Sequence, residues 1–213
     1  MLQEHILNYL TELQHSSSAL MTEMEQEAIK DHVPIMERDG IDFLKQLVRI
    51  KQPQKILEIG TAIGYSALQM QEAFNQAEIV TVERDEKRAQ RAQHYIAKAE
   101  CQEKIDLIQG DALECVNEIK QKGPFDLLFI DAAKGQYQRF FNIYTPMLQD
   151  NGIIITDNVL FKGYVAHPCE ATKRIKQIAE KIASYNEWLI NQSNYNTTIV
   201  PVGDGIAITT KRT

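Results

Sequence analysis

The sequence is poor in the residues that staple small folds or hold soft metals. It has 3 cysteines in 213 residues, Cys101, Cys115 and Cys169, an odd number with no C-x-x-C pair. That argues against a disulfide framework and against zinc, and free thiols in a reducing cytosol fit best. The 5 histidines include no H-x-x-x-H pair. No apolar run approaches the roughly 20 residues a membrane-spanning helix needs. Met1-Leu2-Gln3-Glu4-His5 lacks the basic region and apolar core of a secretory leader, so a cytoplasmic protein without a membrane partner is expected. Basic charge is also in deficit: 23 Lys and Arg against 29 Asp and Glu give a net charge of −6. This argues against broad, nonspecific nucleic-acid binding, and DNA is not an expected partner, although a local basic patch is compatible with the total.

Two glycine motifs are missing as well. The stretch from Lys55 to Ser66, KILEIGTAIGYS, reads as an apolar strand, a turn and a helix start. Its glycines fall in the pattern Glu58-x-Gly60-x-x-x-Gly64 with no lysine after them. Neither the G-x-G-x-x-G dinucleotide fingerprint nor the G-x-x-x-x-G-K-[ST] phosphate loop fits. What remains is a turn whose backbone can pass close to a ligand, with helix amides pointing at it.

Around this stretch the chain alternates strand and helix patterns. Strands are predicted at Glu78 to Val82, Ile105 to Ile108, Phe125 to Ile130 and Gly152 to Thr156, with helices over Ala67–Phe74, Asp85–Ala99, Ala112–Lys122 and Tyr137–Leu148 between or after them. The alternation implies a doubly wound, mostly parallel sheet, seven-stranded once the last two strands are added. After a helix from about Glu170 to Asn186, two strand-like runs flank Gly203-Asp204-Gly205, the signature of an antiparallel C-terminal hairpin. Before the sheet, residues 3–31 read as two helices interrupted at Ser16-Ser17-Ser18, and a third runs from Ile41 to Ile50. No linker or repeat divides the chain, so residues 1–213 are expected to form one domain, with residues 1–50 packed on its core.

Five acids close successive strand units: Glu58, Glu83, Asp111, Asp131 and Asp157. Ligands of open α/β sheets bind beyond the carboxyl ends of the strands. Glu83, 23 residues after Gly60, stands where a carboxylate can accept from ribose hydroxyls, or it serves the helix that follows. Asp111 and Ala112 would flank the base of a nucleoside, unless Asp111 only caps a helix. Asp131, Asp157 and Asn158 make a set of hard oxygen donors from neighbouring strand ends. Such a set suits Mg²⁺; paired carboxylates working as acid and base, or plain turn and cap residues, are the other readings.

The motifs carry a resemblance. The glycine turn resembles that of class I S-adenosylmethionine-dependent methyltransferases. Asp131-Ala132-Ala133-Lys134 and Thr156-Asp157-Asn158-Val159-Leu160 resemble the metal-binding motifs of the catechol-type, Mg²⁺-dependent O-methyltransferases, and Pro201-Val202-Gly203-Asp204-Gly205 resembles that family's terminal hairpin. Within the family, His32 to Met36, Leu57 to Ser66, Ala133 to Tyr137 and Asp157 to Gly163 look most like the bacterial branch that methylates 5-hydroxyuridine in tRNA. The resemblance implies S-adenosylmethionine contacts at Met36, Gly60, Ser66, Glu83, Asp111, Ala112 and Asp131. It implies Mg²⁺ on Asp131, Asp157 and Asn158, and Lys134 as general base beside Asp131. It further implies a homodimer, and a tRNA anticodon stem-loop as substrate, with the wobble 5-hydroxyuridine converted to 5-methoxyuridine. Lys134, Arg139, Lys162, Lys173, Arg174, Lys176 and Lys181 could meet its phosphates. Many relatives have an acid where Ala133 stands and tryptophan where Phe161 stands. The competing expectation is a small-molecule O-methyltransferase acting on catechols or hydroxycinnamoyl esters. A nicotinamide oxidoreductase is disfavoured by the missing third glycine, and a noncatalytic binding module by the intact Asp131, Asp157 and Asn158.

Overall fold

The structure, a computed structural model, describes residues 4–13, 17–167 and 172–212. Cys169 and the expected helix start at Glu170 lie outside the described residues. Three helices come first: α1 (Glu4–Leu13), α2 (Ala19–Asp31) and α3 (Arg38–Lys51). Ser18 caps α2, its side chain accepting from Met21 N at 3.3 Å, and His32 ends it in the left-handed conformation. Met21, Met24 and Ala28, at helical spacing, are the residues α2 buries. Arg38 opens α3 one turn before the expected Ile41, because Asp39 accepts from the Gly40 amide and carries the turn through a glycine. The buried stripe of α3 is Gly40, Ile41, Leu44 and Val48.

The sheet consists of β1 (Lys55–Ile59), β2 (Glu78–Glu83), β3 (Ile105–Gln109), β4 (Phe125–Ile130), β5 (Leu148–Thr156), β6 (Tyr195–Val200) and β7 (Ile206–Lys211). Its order is β3-β2-β1-β4-β5-β7-β6, with β7 antiparallel to both neighbours and the other pairings parallel. The seven-stranded, mostly parallel sheet with an antiparallel C-terminal hairpin is therefore observed. Helices α4 (Tyr65–Ala73), α5 (Glu86–Lys98), α6 (Val116–Lys122), α7 (Tyr137–Tyr144) and α8 (Lys173–Ile190) complete the fold. Successive strand residues feed opposite layers. Ile56, Ile79 and Leu127 pack with Met24, Leu44 and Met70, whereas Leu57, Val80 and Leu128 pack with Ile119, Phe141 and Leu189. Strands buried on both faces explain why β1 and β4 read as almost unbroken apolar runs.

Several boundaries differ from expectation for local reasons. Helix α6 begins at Val116, not Ala112, because Asp111 accepts from Leu113 N at 2.9 Å and turns the chain before any helix forms. Helix α7 ends at Tyr144, and one 3₁₀ turn at Thr145–Met147 holds Pro146. Strand β5 begins at Leu148, four residues before the expected Gly152, since its Asn-Gly step is accommodated inside a strand whose register with β4 shifts between Phe125 and Leu127.

The register fixes the site. Ile59 is level with Val82 on one side and Ile130 on the other, and Ile130 is level with Thr156. The next residues, Glu83, Gly60, Asp131 and Asp157, therefore form one row at the carboxyl edge. The C-terminal hairpin turn braces this edge from outside. Gly205 has φ +87°, and a Cβ there would lie 2.4 Å from Leu160 Cγ and 2.8 Å from Leu160 N. Gly205→Ala must therefore separate the hairpin from the loop after β5. We expect a loss of about 2–3 kcal/mol, read as a lower urea midpoint at unchanged slope.

Candidate active site at the strand ends

The cleft above this edge has a volume of about 580 Å³, within the range of small-molecule sites. Met36, Gly60, Glu83, Asp111, Ala112, Asp131, Lys134, Asp157 and Asn158 all line it, so nine of the ten expected site residues converge. Ser66 does not line it. Its hydroxyl turns inward and donates to Glu58 Oε1 at 2.5 Å, while Thr81 donates to Glu58 Oε2 at 2.5 Å. Ser66 thus supports the turn from below through its side chain. Glu58 is buried, and loss of water pushes its carboxyl up to about 7, against the opposing pull of the two hydroxyls.

Gly60 has a different neighbour from the one its sequence suggests. With φ +102°, a Cβ on it would lie 2.0 Å from the carbonyl oxygen of Asp131. The glycine lets the end of β4 close onto the turn after β1, which brings Asp131 beside that turn. Glu83 spans the other side: its carboxylate accepts from Ala62 N at 2.8 Å and from Asp85 N at 2.8 Å. It therefore ties the glycine turn to the start of α5 while lining the cleft. Asp85, not Glu83, caps α5, accepting from Arg88 N at 3.0 Å.

The oxygen set lies deeper. Asp157 is 2% exposed; Asp131 keeps part of its surface toward the cleft but sits among packed atoms below its rim. Asn158 Nδ2 donates to Asp157 Oδ2 at 3.1 Å, which leaves its Oδ1 as an acceptor, and Lys134 Nζ donates to that oxygen. Burial pushes the Asp131 carboxyl up to about 6, partly offset by Lys134. Burial, and then the charge of Asp131, hold the Asp157 carboxyl well above its ordinary value. Two buried carboxylates that oppose each other's ionisation, with an amide oxygen beside them and no arginine paired with them among the described residues, have the chemistry of a hard-cation site. Among the described residues no three His, Cys, Asp or Glu side chains form a metal cluster, so any such ion depends on the Asn158 amide as the third donor.

Two contacts of the site have no local signal in the sequence. Tyr137, fully buried, donates to the Asp157 carbonyl at 3.0 Å and so links the Lys134 turn to the end of β5. Phe161 lies under the Lys134 ammonium, which is 5.6 Å from the ring centroid. At the mouth, Glu37 is held above the usual carboxylate range by burial and by Asp204 and Asp39.

Comparison with known proteins places this arrangement. A family model described as O-methyltransferase matches residues 11–212. The chain belongs to this O-methyltransferase family. It is an S-adenosylmethionine-dependent O-methyltransferase. It is 39% identical to a solved structure described as a candidate caffeoyl-CoA O-methyltransferase from Staphylococcus aureus, with a TM-score of 0.90 over 96% of this chain and 98% of the other. The S-adenosylhomocysteine-bound methyltransferase PaMTH1 of Podospora anserina is 25% identical, with a TM-score of 0.86 over 99% and 95% of the two chains. The flavonoid 3',5'-methyltransferase of Vitis vinifera is 29% identical over 184 residues, 83% of this chain and 77% of that one. Among the described residues no helix is long and apolar enough to cross a membrane.

The raised carboxyls make a prediction of defined sign. Their folded values exceed the unfolded ones, so the folded state retains protons that the unfolded state releases from about pH 4 upward. This contribution favours the metal-free protein at low pH and is lost as pH rises through the folded values. Asp131→Asn in EDTA should flatten that dependence and raise Tm at pH 7.5 by about 2–4 °C, the shift ~1 kcal/mol gives at this chain length. A Tm at or below that of the unmodified protein would refute the buried-charge account.

Proposed function

We propose that the cleft transfers a methyl group from S-adenosylmethionine to one oxygen of a vicinal oxygen pair, with Mg²⁺ on Asp131, Asp157 and Asn158. The observation that carries this reading is the buried carboxylate pair with the Asn158 amide at its side, next to Lys134. Bound there, a divalent cation would supply charge neutralisation and favour the ionised acceptor hydroxyl. The residues of the chain have the other tasks. Glu83 and Asp111 accept from the nucleoside end of the donor, and Met36 and Gly60 shape its bed. Lys134, when neutral, takes the acceptor's proton as its oxygen displaces the sulfonium sulfur in line. The walls around Phe161 and Phe140 keep water from the reacting atoms.

The relatives support a small phenolic acceptor of the catechol or hydroxycinnamoyl type as the first reading. A second reading, the wobble 5-hydroxyuridine of tRNA, has its own support, since the 5-hydroxyl and 4-carbonyl form a comparable pair. Lys134, Lys162 and Lys181 stand around the mouth, and none pairs with a carboxylate among the described residues. Lys181 of α8 lies over the Gly135 turn, where a Cβ would meet its Nζ at 3.6 Å. Ala133 and Phe161 leave this rim without the acid and tryptophan of many relatives. A homodimer is supported by the exposed apolar residues Tyr9, Leu10 and Leu13 of α1.

Labelled S-adenosylmethionine with Mg²⁺ should be tested against a catechol, hydroxyuridine-containing tRNA and tRNA lacking that base. Transfer to the catechol, abolished by EDTA, supports the first reading; transfer to the hydroxylated tRNA alone replaces it with the second. With either acceptor, Lys134→Ala is expected to lower kcat about 10²-fold or more at unchanged donor affinity. If tRNA is the acceptor, Lys181→Glu should raise its KM and steepen nothing else, whereas a catechol's KM should not move.

A further inference from the structure

The loop that carries Asn158 is held in an unfavourable backbone shape. Asn158 has φ +57°, Phe161 φ +46°, Lys162 φ +55° and Gly163 φ +82°. Left-handed conformations cost a non-glycine residue roughly 1–2 kcal/mol each, and they persist only where the surroundings over-determine them. On one side the surroundings are the hairpin turn. The Gly205 carbonyl accepts from Val159 N at 2.9 Å, and the Asp204 carbonyl accepts from Leu160 N at 2.8 Å and Phe161 N at 3.0 Å. On the other side is α8, from which Asn186 Nδ2 donates to the Val159 carbonyl at 2.7 Å. One residue before Asn186, Tyr185 shares a 3.0 Å hydrogen bond with Thr156 Oγ1.

Asn186 is 9% exposed, and its Oδ1 is buried without a hydrogen-bond partner among the described residues. A buried unpaired amide oxygen costs about 1–3 kcal/mol, so packing alone would favour an apolar side chain of the same size. The bond it makes acts on the residue directly after Asn158. The Gly205 carbonyl holds the Asn158–Val159 peptide by its N–H, and Asn186 holds the next peptide by the Val159 C=O, so the two peptides that follow Asn158 are both anchored.

We propose that Asn186 is a positioning residue for the oxygen set. Through Val159 it keeps the Asn158 amide turned to Asp157 and Lys134, so that Oδ1 is presented as the third hard donor. This inference rests on the proposed metal reading of Asp131, Asp157 and Asn158. Groups that orient a metal ligand from behind commonly change metal affinity by about 10–100-fold when removed.

The test is a Mn²⁺ titration followed by electron paramagnetic resonance, without S-adenosylmethionine, alongside calorimetric S-adenosylmethionine binding without metal. Asn186→Leu removes the donor at similar volume. Its Mn²⁺ affinity should fall about 10-fold or more while donor affinity stays within about twofold, and saturating metal should restore most of kcat. Mn²⁺ affinity within about twofold of the unmodified protein overturns the proposal, as does a parallel fall in both affinities, which would mark general disruption. Should the leucine variant not fold, Asn186→Ala carries the same comparison without added bulk. Failure of the unmodified protein to bind Mn²⁺ would instead remove the metal reading itself, an outcome distinct from an insensitive Asn186.

Discussion

Two carboxylates held out of water at adjacent strand ends, with Lys134 as the cation acting on both among the described residues, set the terms for the rest of this structure. Asp131 and Asp157 end β4 and β5, which are hydrogen-bonded neighbours, so the sheet itself forces them together. Burial disfavours the charge of both. A fold selected only for stability would place one of them elsewhere or pair them with arginine. The surrounding structure instead spends its strongest local restraints on keeping the pair in place. Gly60 gives up its side chain so that the Asp131 carbonyl can approach. Tyr137 gives its only hydroxyl proton to the Asp157 carbonyl.

The same logic accounts for the chain's division of labour. The N-terminal half of the sheet builds a cradle from backbone, with Glu83 bonding two amides and Glu58 holding Ser66 and Thr81 below the turn. The C-terminal half holds the reactive oxygens by clamping a loop that would not adopt its shape alone. Cofactor cradle and oxygen set meet at Gly60 and Asp131. In the proposed reading Asp131 belongs to both, so a change in the glycine turn would not be confined to donor binding.

Much of this was legible from residues in order. Strand ends are marked by acids after apolar runs, and parallel register aligns successive ends, so Glu83, Asp131 and Asp157 could be placed on one edge without coordinates. That register brings Gly60, Glu83, Asp131 and Asp157 to the cleft, and nine of the ten expected residues line it. Ser66 does not line the cleft because its hydroxyl is directed by a partner outside the turn, the buried Glu58 carboxylate. Asn186 and Tyr137 gave no signal because each acts on a backbone carbonyl at least 20 residues away in sequence. A carbonyl has no residue identity, so no motif can report it. Boundaries shifted where a side chain satisfied the backbone locally, as Asp111 does for Leu113.

The chemistry of the oxygen set does not by itself choose an acceptor, because any vicinal oxygen pair presents the same two atoms to it. Discrimination has to come from the rim, where the energetic terms differ in kind. A flat phenol is held by stacking and apolar burial, which the small Ala133 and the half-buried Phe161 supply sparingly. A polyanion is drawn by charge over a Debye length of about 8 Å at physiological salt, and exposed lysines supply that without needing fixed geometry. The acids Glu37, Asp39 and Asp204 on the opposite lip oppose such a field, and the Glu37 carboxyl is raised first by burial and then by the charges of Asp204 and Asp39. The mouth is therefore mixed in charge, with Lys134 and Lys181 to one side and Glu37, Asp39 and Asp204 beside Lys162 toward the hairpin. An acceptor bearing negative charge would be favoured where its charge meets lysine while its oxygen pair faces Asp131 and Asp157. Orientation, more than net attraction, is what such a rim can impose.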